Sequence, residues 1–254
     1  MAAPLAVAGE AERAAKRIAS VGPRPAGSHG EGRAQALMAR VFRRAGLRVS
    51  VQRFPVPGHG QSRNVIGSFG TPHRCLKIVM AHIDTGPAGP GANDNASGVG
   101  VVAALAPRLQ RLRPGCDVWL ASTGAEERGY TRARDHLGAL ALAKRVRARG
   151  LSRRLRWAVS LDEVGRGAGF LIRSPVGRPR RSVEGQLLGP RVRWMRDDST
   201  GNSDHREFQL LGMPGMKLGG AKDEPCREKP CDRPGRLQSA ALELARRLVE
   251  RALR

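Results

Sequence analysis

The chain has 254 residues and a formal net charge of +23, because 45 lysine and arginine side chains outnumber 22 aspartate and glutamate side chains. Hydrophobic residues make up 40% of the chain and charged residues 26%, which is typical of a globular rather than a disordered protein. Aromatic residues are only 4%, too few to favour a single-stranded nucleic-acid binder, and no apolar run reaches the roughly 20 residues of a membrane span.

The predicted elements alternate between strands and helices along most of the chain. In order, they are helices at 9–20 and 31–45, strands at 47–54, 63–69 and 76–82, a helix at 98–112, a strand at 117–122, a helix at 132–149, strands at 155–161, 170–173, 192–195 and 215–218, and a helix at 236–253. This alternation predicts an α/β sheet that is parallel in its middle. No break in composition divides the chain, so we predict a single domain over 1–254.

Acidic and histidine residues follow three successive buried strands of this pattern. They are His82 and Asp84 after the first strand, Asp94 in the loop that follows it, Glu126 and Glu127 after the second, and Asp162 after the third. Ligands bind just beyond the carboxyl ends of the strands in such sheets. An imidazole combined with carboxylates suits a divalent metal, either zinc or cobalt or manganese.

The spacing also separates the roles of neighbouring residues. Asp84 lies two residues from His82, where it is better placed to orient the imidazole than to share a metal with it. Because Glu126 and Glu127 are adjacent, one can bind metal while the other acts as a general base. Structural alternatives are that Asp94 only caps the next helix and that the two glutamates form a solvated surface.

These residues occur in motifs that resemble a known family. The motifs are His82-x-Asp84, Gly91-Ala-Asn-Asp94-Asn-Ala-Ser-Gly98, Gly124-Ala-Glu126-Glu127, Leu161-Asp162 and Ser203-Asp204-His205-x-x-Phe208. Together they resemble the M28 family of di-zinc aminopeptidases, in order from about residue 10 to the C-terminus. The resemblance implies a three-layer α/β/α sandwich with a mixed, centrally parallel sheet, as in zinc exopeptidases.

The resemblance also implies a ligand set and a reaction. Asp94 would bridge two divalent metals, zinc in the first place, with His82 and Asp162 completing one site and Glu127 belonging to the other. Glu126 would be the general base toward a water activated by both metals, and the substrates would be peptides with a free N-terminus. Asp204 and His205 would shape the substrate pocket rather than bind metal.

The segment Cys226-Arg-Glu-Lys-Pro-Cys231 departs from the family pattern. The family's fifth ligand is a histidine, and Glu228 occupies its position, while Arg227 stands where some members have a pocket tyrosine. One interpretation is that Glu228 binds metal through its carboxylate. The other is that Glu228 turns out toward Arg227 or Lys229 and that one metal site is weak.

Several alternatives stay open at this point. The chain could be a one-metal acyltransferase similar to glutaminyl cyclases, or a catalytically impaired metal-binding or interaction domain with a basic surface. Cys226 and Cys231 could close a disulfide in an oxidising compartment, whereas Cys75 and Cys116 are predicted to be buried small hydrophobes. Since the first residues form a poor secretion signal, we predict a cytoplasmic location, or secretion if the N-terminus is incomplete.

Overall fold

Eight strands form one mixed sheet in the computed structural model, which describes residues 9–70, 75–175, 187, 189–197, 201–220 and 224–254. The strands are β1 (Arg48–Val56), β2 (Gly60–Phe69), β3 (Leu76–His82), β4 (Asp117–Thr123), β5 (Leu155–Asp162), β6 (Phe170–Ser174), β7 (Val192–Arg196) and β8 (Gly215–Gly220). Their order across the sheet is β1-β2-β4-β3-β5-β8-β6-β7. The central strands β4, β3, β5 and β8 are parallel, while β1, β2 and β6 pair antiparallel to their neighbours toward the centre.

Helices cover both faces of this sheet. They are α1 (Glu10–Ala19), α2 (His29–Arg44), α3 (Ser97–Leu105), α4 (Leu109–Leu112), α5 (Arg128–Thr131), α6 (Leu137–Ala148), α7 (His205–Leu210) and α8 (Ser239–Leu253). The helices α1, α2, α3 and α8 share one hydrophobic core with the sheet, and α6 and α7 share the other. Among the described residues, none of the helices has the length and apolar character needed to cross a membrane.

The central strands are buried on both faces, which explains their nearly continuous apolar sequences. In β3, Val79 and Ala81 point into the core beneath α3, whereas Ile78 and Met80 point into the core beneath α6. This alternation follows from the two-residue period of a strand. The predicted α/β fold, with three layers and a centrally parallel sheet, is therefore confirmed.

Two predicted helices are shorter than their patterns suggested. The pattern at 98–112 is interrupted by a tighter turn at Ala106–Arg108, because Pro107 lacks the amide that a continuous helix needs. The pattern at 132–149 becomes helical only at Leu137, since Arg132 has a left-handed backbone and the His136 amide donates to the Glu207 carboxylate instead.

Two disulfides, Cys75–Cys116 and Cys226–Cys231, are present. The prediction that Cys75 and Cys116 are buried small hydrophobes is wrong, because they form a disulfide and Cys116 is only half-buried. Each cysteine immediately precedes one of two neighbouring parallel strands, and the next residues, Leu76 and Asp117, are partners in the β3–β4 register. Disulfides are more typical of oxidising compartments than of the cytoplasm; the cytoplasmic location and the single domain stay predictions.

A buried arginine fixes the loop that follows β3. Arg24 is fully buried, and its guanidinium donates to the carbonyls of Ile83 at 2.7 Å, Gly22 at 2.8 Å, Pro90 at 2.6 Å and Gly91 at 3.2 Å. Burial lowers its pKa to about 10, although nearby carboxylates oppose that shift. Arg24 therefore stays charged and connects the start of the chain to the loop that carries Asp94.

We expect Arg24→Met to lower the free energy of unfolding by about 3 kcal/mol, because four carbonyl groups around the buried guanidinium lose their donor. Chemical denaturation monitored by circular dichroism measures this change. The matched control is Arg40→Met at an exposed position of α2, which we expect to change stability by less than about 0.5 kcal/mol. Equal effects of the two substitutions would contradict the assigned role of Arg24.

Candidate metal centre

The His82 imidazole lies at the centre of a buried cluster at the carboxyl edge of the sheet. Its Nε2 atom is 3.2 Å from Asp94 Oδ1 and 3.7 Å from Asp162 Oδ1. Its Nδ1 atom is 3.2 Å from the backbone carbonyl oxygen of Asp84. Nε2 therefore points toward the carboxylates, as a metal ligand would, while the other ring nitrogen is held by the backbone.

Two groups of side chains bring their ligand atoms within 4.8 Å of one another. One group is His82, Asp94 and Glu127, and the other is His82, Glu126 and Asp162. All five are buried. They meet because β3, β4 and β5 are parallel neighbours, so the residues after each strand end at the same edge.

The backbone of the Asp94 loop is held in place by Asp232, which the sequence analysis did not single out. The Asp232 carboxylate accepts the amide of Asn93 at 2.8 and 3.0 Å and the amide of Asp94 at 2.9 Å. The peptide bond between Asp94 and Asn95 is cis. Asn95 Nδ2 donates to the Leu161 carbonyl at 2.8 Å, which connects this loop to the end of β5.

Asp84 supports the site through the backbone. Its carboxylate accepts the amides of Glu126 at 3.0 and 3.1 Å and of Glu127 at 3.1 Å, and its Oδ1 lies 3.7 Å from His82 Nδ1. The predicted role of Asp84 in orienting the imidazole stays a prediction: both its backbone carbonyl oxygen and its carboxylate lie on the Nδ1 side of His82, the carbonyl oxygen at the shorter distance. Asp84 is thus a positioning residue that fixes the loop carrying both glutamates.

The buried carboxylates repel one another and resist ionisation. Burial raises the pKa of Glu126 to about 8, and the pKa of Glu127 is raised well above its usual value by burial and by the neighbouring Asp94. Asp162 behaves differently: burial opposes its ionisation, but Lys217 and His82 hold its pKa well below the usual value. A divalent cation among these groups would remove the cost of their negative charges.

Asp162 provides the test of whether a metal fits. Its Oδ2 atom accepts from Lys217 Nζ at 2.6 Å, whereas its buried Oδ1 atom, on the side of His82 Nε2, has no hydrogen-bond partner. A buried unpaired carboxylate oxygen is costly. Together with an imidazole nitrogen and further carboxylates, it forms a donor set that fits zinc, cobalt or manganese.

Glu228 does not join either group of converging ligands among the described residues. It is exposed and lies in the wall of the cleft above them. The neighbouring Arg227 donates to Glu163 at 2.9 and 2.5 Å, and Lys229 donates to the Pro225 carbonyl at 2.9 Å. Neither the ligand role of Glu228 nor its pairing with Arg227 or Lys229 is therefore seen in the structure.

We expect Glu228→His to raise bound zinc and peptidase activity, because an imidazole is a better zinc ligand than a carboxylate at the cleft rim. Inductively coupled plasma mass spectrometry of the dialysed protein measures the metal content. The matched control is Lys229→His, which puts the same imidazole one residue further along the exposed segment. Unchanged zinc content in Glu228→His would show that position 228 does not reach the metal centre.

Asp204 and His205 were expected to shape the substrate pocket, but they are not among the described residues that line the cleft. Both are fully buried. Asp204 accepts the Thr123 hydroxyl at 2.5 Å, and His205 Nε2 is 3.0 Å from Asp197 Oδ2. Of the three tentative pocket residues, only Arg227 lines the described cleft.

Two further residues beside the centre were not predicted from the sequence. His136 bonds Glu207 at 2.9 Å through Nδ1, and its Nε2 lies 3.5 Å from Glu126 Oε1. Lys217 bonds Asp162 from the neighbouring strand β8. The signal for Lys217 was present, since it is the one charged residue in the otherwise apolar strand pattern 215–218.

The mixed α/β sheet carries an imidazole and carboxylates at its carboxyl edge. The family model described as Peptidase family M28 matches residues 64–253, well over half of the chain. The chain belongs to this family, as the motifs around His82, Asp94, Glu126 and Asp162 predicted.

Individual relatives agree with the family and the fold. The Escherichia coli (strain K12) protein described as uncharacterized protein YfbL is 30% identical over 141 residues, which is 52% of this chain and 42% of that protein. The zinc aminopeptidase BSAP from Bacillus subtilis has a TM-score of 0.82 at 17% identity, covering 96% of this chain and 93% of its own. The glutaminyl cyclase from Bacteroides thetaiotaomicron has a TM-score of 0.81 at 19% identity, covering 96% of both chains. At these identities, the structural matches define the fold.

Proposed function

We propose that the protein is a metal-dependent aminopeptidase that removes N-terminal residues from peptides. The observation that carries this proposal is the convergence of His82, Asp94, Glu127 and Asp162, with Glu126 beside them in an open cleft. When bound, divalent ions lower the pKa of water and polarise the scissile carbonyl group. Zinc is the preferred ion, and manganese and cobalt are the alternatives.

The proposed roles of the residues follow from their positions. In this proposal His82, Asp94 and Asp162 would hold one ion, and Asp94 and Glu127 would contribute to holding a second. The Glu126 carboxylate, which lines the cleft, accepts the proton of the attacking water and returns it to the leaving amine. Asp84 keeps the Glu126 backbone in place through the amide hydrogen bonds described above.

One-metal acyl transfer, as in a glutaminyl cyclase, is the second candidate. The observation that favours it is the position of Glu228, which stands where the family resemblance expects a histidine ligand and lies outside the two converging groups. With that ligand absent, the ion that Glu127 helps to hold would bind weakly. Stoichiometry and reaction type separate this candidate from the aminopeptidase.

The test begins with the full chain stripped of metal by a chelator and then dialysed against zinc, manganese or cobalt. Bound metal is measured by mass spectrometry, hydrolysis by release of p-nitroaniline from leucyl-p-nitroanilide, and cyclisation on a peptide with an N-terminal glutamine. The aminopeptidase proposal expects hydrolysis that is lost with the metal and restored by it. Cyclisation with one ion per chain would support the second candidate, and metal binding without either activity would indicate a catalytically impaired binding domain.

A further inference from the structure

Three basic side chains share the cleft with the metal centre. Arg173, Lys217 and Arg227 line the same cavity of about 180 Å³ as His82 and the converging carboxylates. Basic groups are unexpected there, because they oppose both the metal ions and the ammonium group of a peptide substrate. Each of the three therefore needs an anionic partner.

Two of these groups have such a partner within the protein. Lys217 Nζ lies 2.6 Å from Asp162 Oδ2, and Arg227 makes a two-point contact with Glu163 at 2.9 and 2.5 Å. These contacts pair the side chains of Lys217 and Arg227 with carboxylates of the protein. Lys217 and Arg227 thus have less capacity for a further anion than Arg173 has.

Arg173 differs from both. It is half-buried on β6, and its register partner on the antiparallel strand β8 is Lys217, so the two cations lie side by side on one face of the sheet. No carboxylate of the described residues forms an ion pair with Arg173. It attracts Asp197 only at longer range, and Asp197 is already bonded to His205 Nε2 at 3.0 Å and the Gly201 amide at 2.8 Å.

The charge of the loaded cleft also favours an anion. Its described lining contains six carboxylates and three basic groups, a formal charge of −3 when every carboxylate is ionised and His82 is neutral. Two bound divalent ions, which favour the ionised form of the carboxylates, would add +4 and give a formal charge of +1. A substrate that brings only an ammonium group would leave this positive charge unbalanced, whereas a carboxylate on the substrate would neutralise it.

We propose that Arg173 binds a carboxylate of the substrate and makes the enzyme selective for anionic substrates. This inference rests on the proposed peptidase function and names its substrate class. The guanidinium matches a carboxylate in a two-point geometry that a lysine cannot reproduce. The carboxylate comes either from the side chain of an N-terminal glutamate or aspartate, or from the C-terminus of a dipeptide.

Two pairs of substrates distinguish these sources. Glutamyl- and leucyl-p-nitroanilide differ in the side-chain carboxylate, and leucylglycine and leucylglycine amide differ in the C-terminal carboxylate. We expect the wild-type protein to have a kcat/KM about 10–100-fold higher for the anionic member of one pair, the size of a hydrogen-bonded charged contact. Equal values within both pairs would overturn the proposal.

Variants at position 173 assign the preference to this residue. Arg173→Gln is expected to remove most of the preference, so that the kcat/KM values of the anionic and neutral members of each pair agree within about threefold. The matched control Arg193→Gln removes the same charge from an exposed position on the adjacent strand β7 and should retain the preference. Arg173→Lys, which keeps the charge but not the two-point geometry, is expected to retain only a small part of it and is the fallback if Arg173→Gln does not fold.

A binding measurement separates this inference from the proposed function. Isothermal titration of glutamate hydroxamate and leucine hydroxamate into the zinc-loaded protein requires no turnover, because the hydroxamate group binds metal directly. We expect tighter binding of the glutamate compound to the wild type and no difference in Arg173→Gln. Hydrolysis of neutral substrates without any effect of position 173 would overturn the inference alone, whereas selective binding without hydrolysis would overturn the proposed function alone.

Discussion

Replacement of Glu126 by glutamine is expected to lower kcat for leucyl-p-nitroanilide by about 10²–10⁴-fold, the usual contribution of a positioned general base. Glutamine keeps the shape and the hydrogen-bonding oxygen of the side chain but removes the proton acceptor. Glu126 lines the cleft and belongs to one group of converging ligand atoms with His82 and Asp162. The measurement is steady-state kinetics of the zinc-loaded variant.

The metal content of the same variant shows what kind of role was lost. Glu126 also belongs to one of the two converging ligand groups, so a ligand role must be separated from a base role. Unchanged zinc content with lost activity is the expected result for a base. A parallel loss of zinc would instead make Glu126 a ligand. Glu10→Gln, at an exposed carboxylate of α1, is the matched control and should retain both properties.

Asp94→Asn is expected to have the largest effect on metal binding. Its carboxylate Oδ1 lies 3.2 Å from His82 Nε2, and the same side chain belongs to the group with Glu127. A neutral amide is a poorer ligand than a carboxylate, and in the proposed function Asp94 would help to hold both ions. Loss of a group that only hydrogen-bonds to a metal ligand typically lowers metal affinity by about 10–100-fold. We expect the loss of zinc affinity in Asp94→Asn to be larger than this, and hydrolysis to be lost completely.

Competition with a chromophoric chelator measures this affinity, and circular dichroism verifies that the variant is folded. The control is Asp135→Asn, which makes the same chemical change at a half-exposed position outside the described cleft lining. Zinc binding by Asp94→Asn with wild-type affinity would exclude Asp94 from the centre. It would also exclude the two-metal form of the proposed function.

The central residues of the site were predictable because the sequence shows where the buried strands end, and parallel strands end at the same edge of a sheet. Strands β3, β4 and β5 are recognisable as apolar runs, and parallel packing brings the residues after them to one edge. That reasoning places His82, Glu127 and Asp162 together without any knowledge of loops. In the structure, His82 shares one group of converging ligand atoms with Glu127 and the other group with Asp162.

The features that escaped prediction depend on pairings between distant parts of the chain. Cys75 and Cys116 are 41 residues apart, and only the register between β3 and β4 puts them side by side. Lys217 and Arg173 enter the cleft from β8 and β6, whose order in the sheet does not follow their order in the sequence. For Glu228 the motif suggested a metal ligand. In the structure its side chain is exposed, lines the cleft and joins neither group of converging ligands.

The segment closed by Cys226 and Cys231 has a thermodynamic consequence. Asp232, the next residue, accepts the amides of Asn93 and Asp94, so we expect the stability of the disulfide and of the loop that carries Asp94 to be coupled. Because linkage between two equilibria is reciprocal, a cation bound at Asp94 should protect the disulfide against reductants to the same degree that the disulfide helps to retain the cation. Thiol reagents used in handling the protein would then act as indirect chelators.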